Sequence, residues 1–264
     1  MYNRQIETGK RDLALTIRTT KQERDLIDHA AKRLGVSRTD FLLESACREA
    51  QNVLLDTTYF GLDAKAFKKF CALLDAPPQN LDRVRHLLKT RAPGMTPSKL
   101  NPPTPLTPDH LCVDFDSGVS ILDDWLKKRA LKNQASGASR TYVVTAKDRV
   151  VAGYYCLAAG AVAHEQAPKP LRRNMPDPIP VIVLGRLAID RRYQRLGIGR
   201  GLLKDAVLRT IQASELAGIR AILVHAISED AKQFYLSCGF LESPTQPMTL
   251  CLPLETARKV IIED

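Results

Sequence analysis

No apolar run in the chain approaches the roughly 18–20 residues that a membrane-spanning helix requires. Its first residues, Met1-Tyr-Asn-Arg-Gln-Ile-Glu7, lack the apolar centre of a secretion signal, so the expected location is the cytoplasm. The six cysteines, at 47, 71, 112, 156, 238 and 251, form no C-x-x-C pair. That speaks against a disulfide framework and for buried free thiols in a reducing compartment. The five histidines are scattered and there is no H-E-x-x-H, so no metal site is expected. Acidic residues are in deficit: 29 Asp and Glu face 39 Lys and Arg, for a net charge of +10. The excess is shared, with 17 basic and 12 acidic residues in 1–95 and 22 and 17 in 96–264. Such a balance favours polyanionic partners without naming them.

An apolar fraction of 44% over 264 residues is enough for packed cores in one large or two ordinary domains. The stretch Pro93 to Pro108 contains six prolines and no periodicity, and reads as an extended linker. Four parts are therefore expected: 1–55, 56–92, the linker 93–108, and 109–264.

In the first part, Asp12 to Arg18 alternates, with Leu13, Leu15 and Ile17 on one face of a strand. Thr20-Lys-Gln-Glu23 is a capping box that opens a helix, and Gly35 is its natural stop. Ser37-Arg-Thr-Asp40 opens a second helix. One strand and two helices cannot bury a sufficient core alone, and a lone strand leaves its backbone unpaired. Two chains that pair strands and interlock helices solve both problems.

This pattern resembles the ribbon–helix–helix DNA-binding domain of antitoxins. The resemblance implies a homodimer whose ribbon enters the major groove of promoter DNA. Thr16 and Arg18 would then face base edges beside Ala14, a weak reader. Lys10, Arg11 and the amides near Ser37 would hold phosphates. The alternative is a helical dimerisation module with a solvated strand face.

The second part carries apolar residues among basic ones. Asp63 caps a helix to Leu74, Pro77-Pro78 breaks it, and Asn80 opens another to about Lys89. Too small for its own core, this segment is expected to fold on a partner surface, although Phe67, Phe70 and Leu74 also fit simple internal packing.

The last part has the helical pattern Val119 to Ala135 and strands Thr141 to Ala146 and Val150 to Leu157 around a turn at Lys147-Asp148-Arg149. A proline-rich excursion, Ala163 to Pro180, leads to a strongly apolar strand, Val181 to Ile189. Next come Gln194-Arg-Leu-Gly-Ile-Gly199, a helix from Leu202 to Glu215, a strand from Arg220 to Ile227, a helix from Ser228 to Ser237 and a strand from Met248 to Leu254. Strand, glycine loop, helix is the context in which loop amides and a helix N-terminus receive a pyrophosphate. The alternative is a plain strand-to-helix turn. Ser228 reads as the N-cap of the late helix.

With Ser228-Glu-Asp-Ala-Lys-Gln-Phe-Tyr-Leu-Ser-Cys-Gly-Phe240, this order resembles the GNAT family of N-acetyltransferases over residues 106–254. The whole chain is then α+β: a ribbon–helix–helix domain and helical tail, a linker, and a mixed central sheet flanked by helices. The resemblance implies acetyl-CoA as cofactor, its pantetheine arm along Leu187, Ala188 and Ile189. The pyrophosphate would lie on Arg195, Leu196, Gly197, Ile198, Gly199 and Arg200, and Ser228 is a further contact. Tyr235 is the expected catalytic acid, protonating the leaving thiolate; the alternative is a packing tyrosine. Glu229, Asp230 and His225 are possible bases, none favoured by spacing.

Trp125 to Thr141, Leu184-Gly-Arg-Leu-Ala-Ile-Asp190 and Phe234 to Phe240 resemble the toxin branch of that family, whose acceptor is the α-amine of aminoacyl-tRNA. The first half resembles its cognate antitoxin. On this reading Lys127, Lys128, Arg129, Lys132, Arg140, Arg172, Arg173 and Arg186 are candidate tRNA contacts; for Lys127 to Lys132 a solvated helix face is an equal alternative. Residues 56–92 would neutralise the enzyme, and the ribbon domain would repress its own promoter. Two rivals stay open: an acetyltransferase of small amines or protein lysines with a DNA-binding regulator, and a transcriptional regulator with an idle acetyl-CoA-binding domain.

Overall fold

The computed structural model describes residues 13–90, 100–164 and 177–263. The chain divides into two compact units, residues 1–50 and 51–264. Lys10, Arg11, Arg172, Arg173 and the first part of the expected linker lie outside the described residues.

In the first unit, α1 (Lys21–Leu34) opens on the expected capping box: the Thr20 side chain accepts from the Glu23 amide, and Glu23 accepts from the Thr20 amide at 2.9 Å. Gly35, left-handed at φ 70°, closes it. Ser37 opens α2 (Arg38–Leu55) by accepting from the Asp40 amide at 3.0 Å; the end of this helix, from Gln51, belongs to the second unit. An Arg38–Asp28 ion pair ties α2 to α1. The expected strand before α1 is absent: residues 13–20 have no regular structure, and Leu13, Leu15 and Ile17 are 93%, 76% and 59% exposed. The physical reason is that a ribbon strand takes its hydrogen bonds from a second strand, and a single chain offers none.

The second unit is built on one eight-stranded sheet. Its path is β2 (Thr104–Pro105), β3 (Arg140–Thr145), β4 (Val151–His164), β5 (Ile179–Ile189), β6 (Ala221–His225), β8 (Thr249–Pro253) and β7 (Leu241–Glu242). Only β5 and β6 are parallel on this path. The helices are α5 (Ser120–Lys128), α6 (Ala130–Ser136), α7 (Ile198–Leu216), α8 (Glu229–Ser237) and α9 (Leu254–Glu263). Trp125, Leu122, Leu126 and Phe115 pack on Tyr154 and Val143 of the sheet, while Leu202, Leu203 and Val207 of α7 pack with Tyr155, Val144 and Ile222.

Residues 51–90 are built into this unit. Strand β1 (Tyr59–Leu62) runs parallel to β4, pairing with Ala161 to His164, beyond the point where β3 ends at Leu157. It thereby covers an edge that would otherwise show unpaired amides. Helix α3 (Ala64–Asp75), capped by Asp63 as expected, buries Phe70 and Leu74 against Val162, Val181, Val183, Leu223 and Cys251. Helix α4 (Leu81–Lys89) buries Val84 and Leu87 beside Ile198, Leu202, Tyr235, Cys238 and Phe240. At Gly239, φ 96°, a Cβ would lie 2.4 Å from Val84 Cγ2, so this close approach of α4 needs glycine. Phe60, Leu62, Phe70, Leu74, Val84 and Leu87 are all buried, each worth about 1.5–3 kcal/mol relative to exposure.

Three expectations change. The described end of the proline-rich stretch is docked, not extended away: Leu100 and Leu106 are buried, and the Asn101 amide donates to the Thr145 carbonyl at 2.8 Å. Thr104–Pro105 pairs at the sheet edge, a place that tolerates proline. The helix expected over 119–135 breaks at Arg129, whose φ of −123° separates α5 from α6. Helix α9 and strand β1 were not expected at all.

Candidate active site

The strand β5 has two kinds of neighbour along its length. It pairs with β4 from Ile179 to Ile189, but with β6 only as far as Leu184–Val224. A bulge at Gly185, where Cys156 faces Arg186 and Leu157 faces Leu184, marks the parting point. Beyond it β5 leaves a V-shaped opening on the β6 side. The Asp190 amide donates to the Ala152 carbonyl, which fixes the ladder's alternation. Ala188 therefore turns its backbone to β4, while the amides of Leu187 and Ile189 face the opening. Of the three expected strand contacts, Leu187 and Ile189 are placed to offer backbone donors and Ala188 is not. The Ile189 carbonyl already accepts from the Gln194 side chain at 2.9 Å.

The glycine loop follows at once. Arg195 (φ 62°) and Gly197 (φ 76°) are left-handed, and α7 starts at Ile198, four residues before the expected start. The first-turn amides of Ile198, Gly199 and Arg200 have no acceptor within the helix by its geometry, so they form a donor cluster at its positive end. Arg195, Leu196 and Gly197 are exposed, and Arg200 reaches Ser237 Oγ at 3.3 Å. An anionic diphosphate fits this cradle, as an extended amide-bearing arm fits the open edge of β5.

Between the opening and α8 lies a cleft of about 60 Å³ lined by Leu55, Leu122, Gly185, Arg186, Leu187, Val224, His225, Ile227, Ala231 and Tyr235. Tyr235 is buried between Phe234 and Phe240, with ring centroids at 5.2 and 5.6 Å. No hydrogen bond among the described residues engages its hydroxyl, and burial raises its pKa. The phenol is therefore a proton donor across the physiological range. Ser228 caps α8 by accepting from the Ala231 amide at 3.2 Å.

His225 hydrogen-bonds Thr249 Oγ1 at 3.2 Å, and burial lowers its pKa below 6.5. It stands neutral beside Tyr235 in the cleft, while Glu229 and Asp230 are exposed on α8. The linkage has a definite sign. Above the unfolded value both states are neutral, so the stability is complete; as pH falls from there through the lowered folded value, the unfolded state binds the extra proton and stability drops. Urea midpoints between pH 7 and pH 5 should fall less steeply for His225→Gln than for the parent.

The basic residues separate. Lys127, Lys128, Arg129, Lys132 and Arg140 are exposed; Lys128 pairs with Asp124 at 2.8 Å, and Arg140 donates to the Gln134 carbonyl at 2.7 Å. Arg186, expected on an open surface, is buried. Its Nη1 meets Asp56 Oδ1 at 2.8 Å and its guanidinium lies 4.6 Å from the Trp125 ring centre. Arg129 meets the other oxygen of Asp56 at 3.1 Å. Sequence reasoning missed Leu55, Asp56 and Gly185, since a helix end and one glycine in a strand carry no signal of what folds back on them.

Residues 14–92 match the family described as Antitoxin TacA 1-like, and residues 137–242 match the acetyltransferase (GNAT) domain. Over 147 residues the chain is 52% identical to a tRNA-acetylating toxin of Mycobacterium tuberculosis (strain ATCC 25618 / H37Rv), covering 56% of this chain and 88% of that protein. Over 84 residues it is 43% identical to antitoxin TacA1 of Salmonella typhimurium (strain 14028s / SGSC 2262), covering 32% of this chain and 87% of the antitoxin. The chain belongs to the TacA antitoxin and tRNA-acetylating toxin families, joined in one polypeptide. The toxin part also superposes on AtaT complexed with acetyl-methionyl-tRNAfMet, with TM-score 0.54 and 29% identity over 61% of this chain and 99% of that one. In the toxin part, the opening of β5, the glycine loop and Tyr235 lie along one side of the fold. The antitoxin match ends at residue 92, so β1, α3 and α4 all belong to it. Among the described residues no helix is long and apolar enough to cross a membrane, and no group of three or more His, Cys, Asp or Glu is placed to hold a metal ion.

Proposed function

We propose that the toxin part transfers acetyl from acetyl-CoA to the α-amine of aminoacyl-tRNA, and that the antitoxin segment of the same chain holds it inactive. The observation that carries the reading is the cleft at the open edge of β5, lined by Leu187 and Tyr235, with the amide cradle before α7 following at the end of the same strand. Bound acetyl-CoA supplies an activated acetyl thioester. The cradle and Arg195 and Arg200 hold its phosphates, and the amides of Leu187 and Ile189 align its arm and donate to the thioester oxygen. His225, neutral, takes the proton that the attacking amine releases, directly or through water. Tyr235 Oη gives its proton to the departing sulfur. Lys127, Lys128, Lys132 and Arg140 supply an exposed positive face for RNA, and Ser228 fixes the start of α8. Acylation of the amine removes the nucleophile that peptide elongation needs, so translation is blocked. Such an acceptor places the protein in the cytoplasm.

The first unit is assigned to promoter DNA. Its alternating apolar face, Leu13, Leu15 and Ile17, stands exposed and fits a second copy, and Thr16 and Arg18 alternate with it toward bases. Putting a charge into that seam, by Ile17→Asp, should weaken dimerisation by about 100-fold. Sedimentation equilibrium reads this, and promoter binding should be lost with it.

The enzymatic reading is tested with labelled acetyl-CoA and total charged tRNA, using a variant whose antitoxin segment is released. Label in base-labile acetyl-aminoacyl-tRNA is expected. Label in free amines or protein lysines instead would replace tRNA as the acceptor, and none anywhere would leave an idle acetyl-CoA-binding regulator.

A further inference from the structure

Where the antitoxin segment enters the cleft, two consecutive residues do different things. Leu55, the last residue of α2, is buried and lines the cleft together with Tyr235, His225 and Leu187. Its carbonyl stands 3.4 Å from where a Cβ of Gly185 would be, so the segment lies directly on the bulge of β5. Asp56 then spreads its two carboxylate oxygens over two guanidiniums, Oδ1 on Arg186 Nη1 at 2.8 Å and Oδ2 on Arg129 Nη2 at 3.1 Å.

Arg186 is a costly residue to bury. Its side chain is 2% exposed, and Asp56 is the only carboxylate paired with it among the described residues. Its Nε and Nη2, with Trp125 Nε1 and Thr141 Oγ1, are buried polar atoms without a hydrogen-bond partner among the described residues. Thr141 and Arg186 both sit opposite Cys156, across adjacent strands, so they share one face of the sheet with Trp125. Native structures leave few such groups unsatisfied, and a buried guanidinium with two unused donors marks a place built for an oxygen-rich anion. A carboxylate bridging two guanidiniums imitates two oxygens of a phosphodiester, which has further oxygens for the donors that Asp56 leaves idle.

We infer that Arg186 and Arg129, with Trp125 stacked on Arg186, form a phosphate subsite for the RNA strand that carries the aminoacyl ester, and that Leu55-Asp56 occupies the acceptor position as an internal mimic. This rests on the tRNA reading above. Leu55 fills the place of the aminoacyl group beside Tyr235, and Asp56 fills the place of the nearest phosphate. The two mimicking groups are one residue apart, as the ester and its first phosphate are one nucleotide apart. Inhibition by this contact is thus competitive with the RNA and leaves the cradle before α7 free.

The experiment uses the full chain and three variants: Asp56→Asn, which keeps shape and removes charge; Leu55→Ala; and Val84→Asp, which unseats α4 without altering a subsite residue. Steady-state acetylation is measured against charged tRNA and against acetyl-CoA, and affinity for uncharged tRNA is measured by fluorescence anisotropy. The expected result for Asp56→Asn is at least about a ten-fold lower KM for charged tRNA. Tighter binding of uncharged tRNA and an unchanged KM for acetyl-CoA should accompany it, with a lower melting temperature because buried Arg186 loses its paired carboxylate. Leu55→Ala should lower the tRNA KM without affecting the anisotropy as strongly. If Val84→Asp is active while Asp56→Asn matches the parent, the mimicry is overturned and the tRNA reading stands. If Asp56→Asn shifts the acetyl-CoA KM, or acts only by freeing the whole segment to protease, the mimicry is likewise overturned. If no variant acetylates tRNA, the functional reading itself falls.

Discussion

Replacing Tyr235 with Phe should lower acetyl transfer by about 10²–10⁴-fold, the contribution of a positioned general acid, while acetyl-CoA affinity changes little. The ring is held by Phe234 and Phe240, and phenylalanine keeps that packing. The hydroxyl makes no hydrogen bond to a described residue, so its removal leaves no buried partner unsatisfied, and the fold should melt within a degree or two of the parent. What is lost is one proton, held on the phenol by burial and positioned in the cleft. Single-turnover rates in an antitoxin-released background, with acetyl-CoA affinity by calorimetry, separate chemistry from binding. A variant that loses affinity and rate together would make Tyr235 a packing residue.

Val84→Asp should raise the acetylation rate of the chain on charged tRNA by about 100-fold or more, because an unpaired carboxylate in an apolar core costs several kcal/mol and tenfold corresponds to 1.4 kcal/mol. Val84 is fully buried and presses on Gly239, between Leu236 and Phe240 at the end of α8. Arg83 donates to the Leu236 carbonyl at 3.1 Å, and Arg85 reaches Glu263 at 3.1 Å, so α4 is seated by polar contacts at its flanks and Val84 and Leu87 between them. Phe70→Asp should act alike through the separate core under α3. Both variants should keep a cooperative melt of the sheet if the toxin part is stable without its segment. A rate equal to the parent's, with the segment shown free by proteolysis, would mean that β1, α3 and α4 are structural and not inhibitory.

The sequence carried the local devices well. Capping at Thr20 and Asp63, the stop at Gly35, the glycine loop and the N-cap at Ser228 are short-range signals, and each is where it was expected. Chemistry that depends on distant strands was less visible. The opening of β5 follows from a register shift at Gly185, and nothing in Leu184-Gly-Arg-Leu-Ala-Ile-Asp190 says on which side β6 will stop. The same register turned Ala188 away from the opening between two residues that face it. Arg186 reads as one more cation in a basic chain; only the fold reveals that it is buried under Trp125 and answered by Asp56. Strand β1 was missed because Tyr59 to Leu62 is short and forms only against β4. The expected ribbon strand shows no regular structure at 13–18 for the opposite reason, since a single chain offers it no second strand to pair with. Helix α9 has no capping signal and takes its place from Ala257 and Val260, packed in the main core.

The central claim is that one polypeptide carries an acetyltransferase and the segment that closes its acceptor cleft. The most direct measurement is the initial rate of acetyl transfer from labelled acetyl-CoA to total charged tRNA by the full chain and by its Val84→Asp variant at equal concentration, with the Val84→Asp/Tyr235→Phe double variant as control. Low activity is expected in the parent, with a rise of about 100-fold or more on release and loss of that gain in the double variant. Equal rates for parent and released chain, or a gain that survives Tyr235→Phe, would contradict the claim.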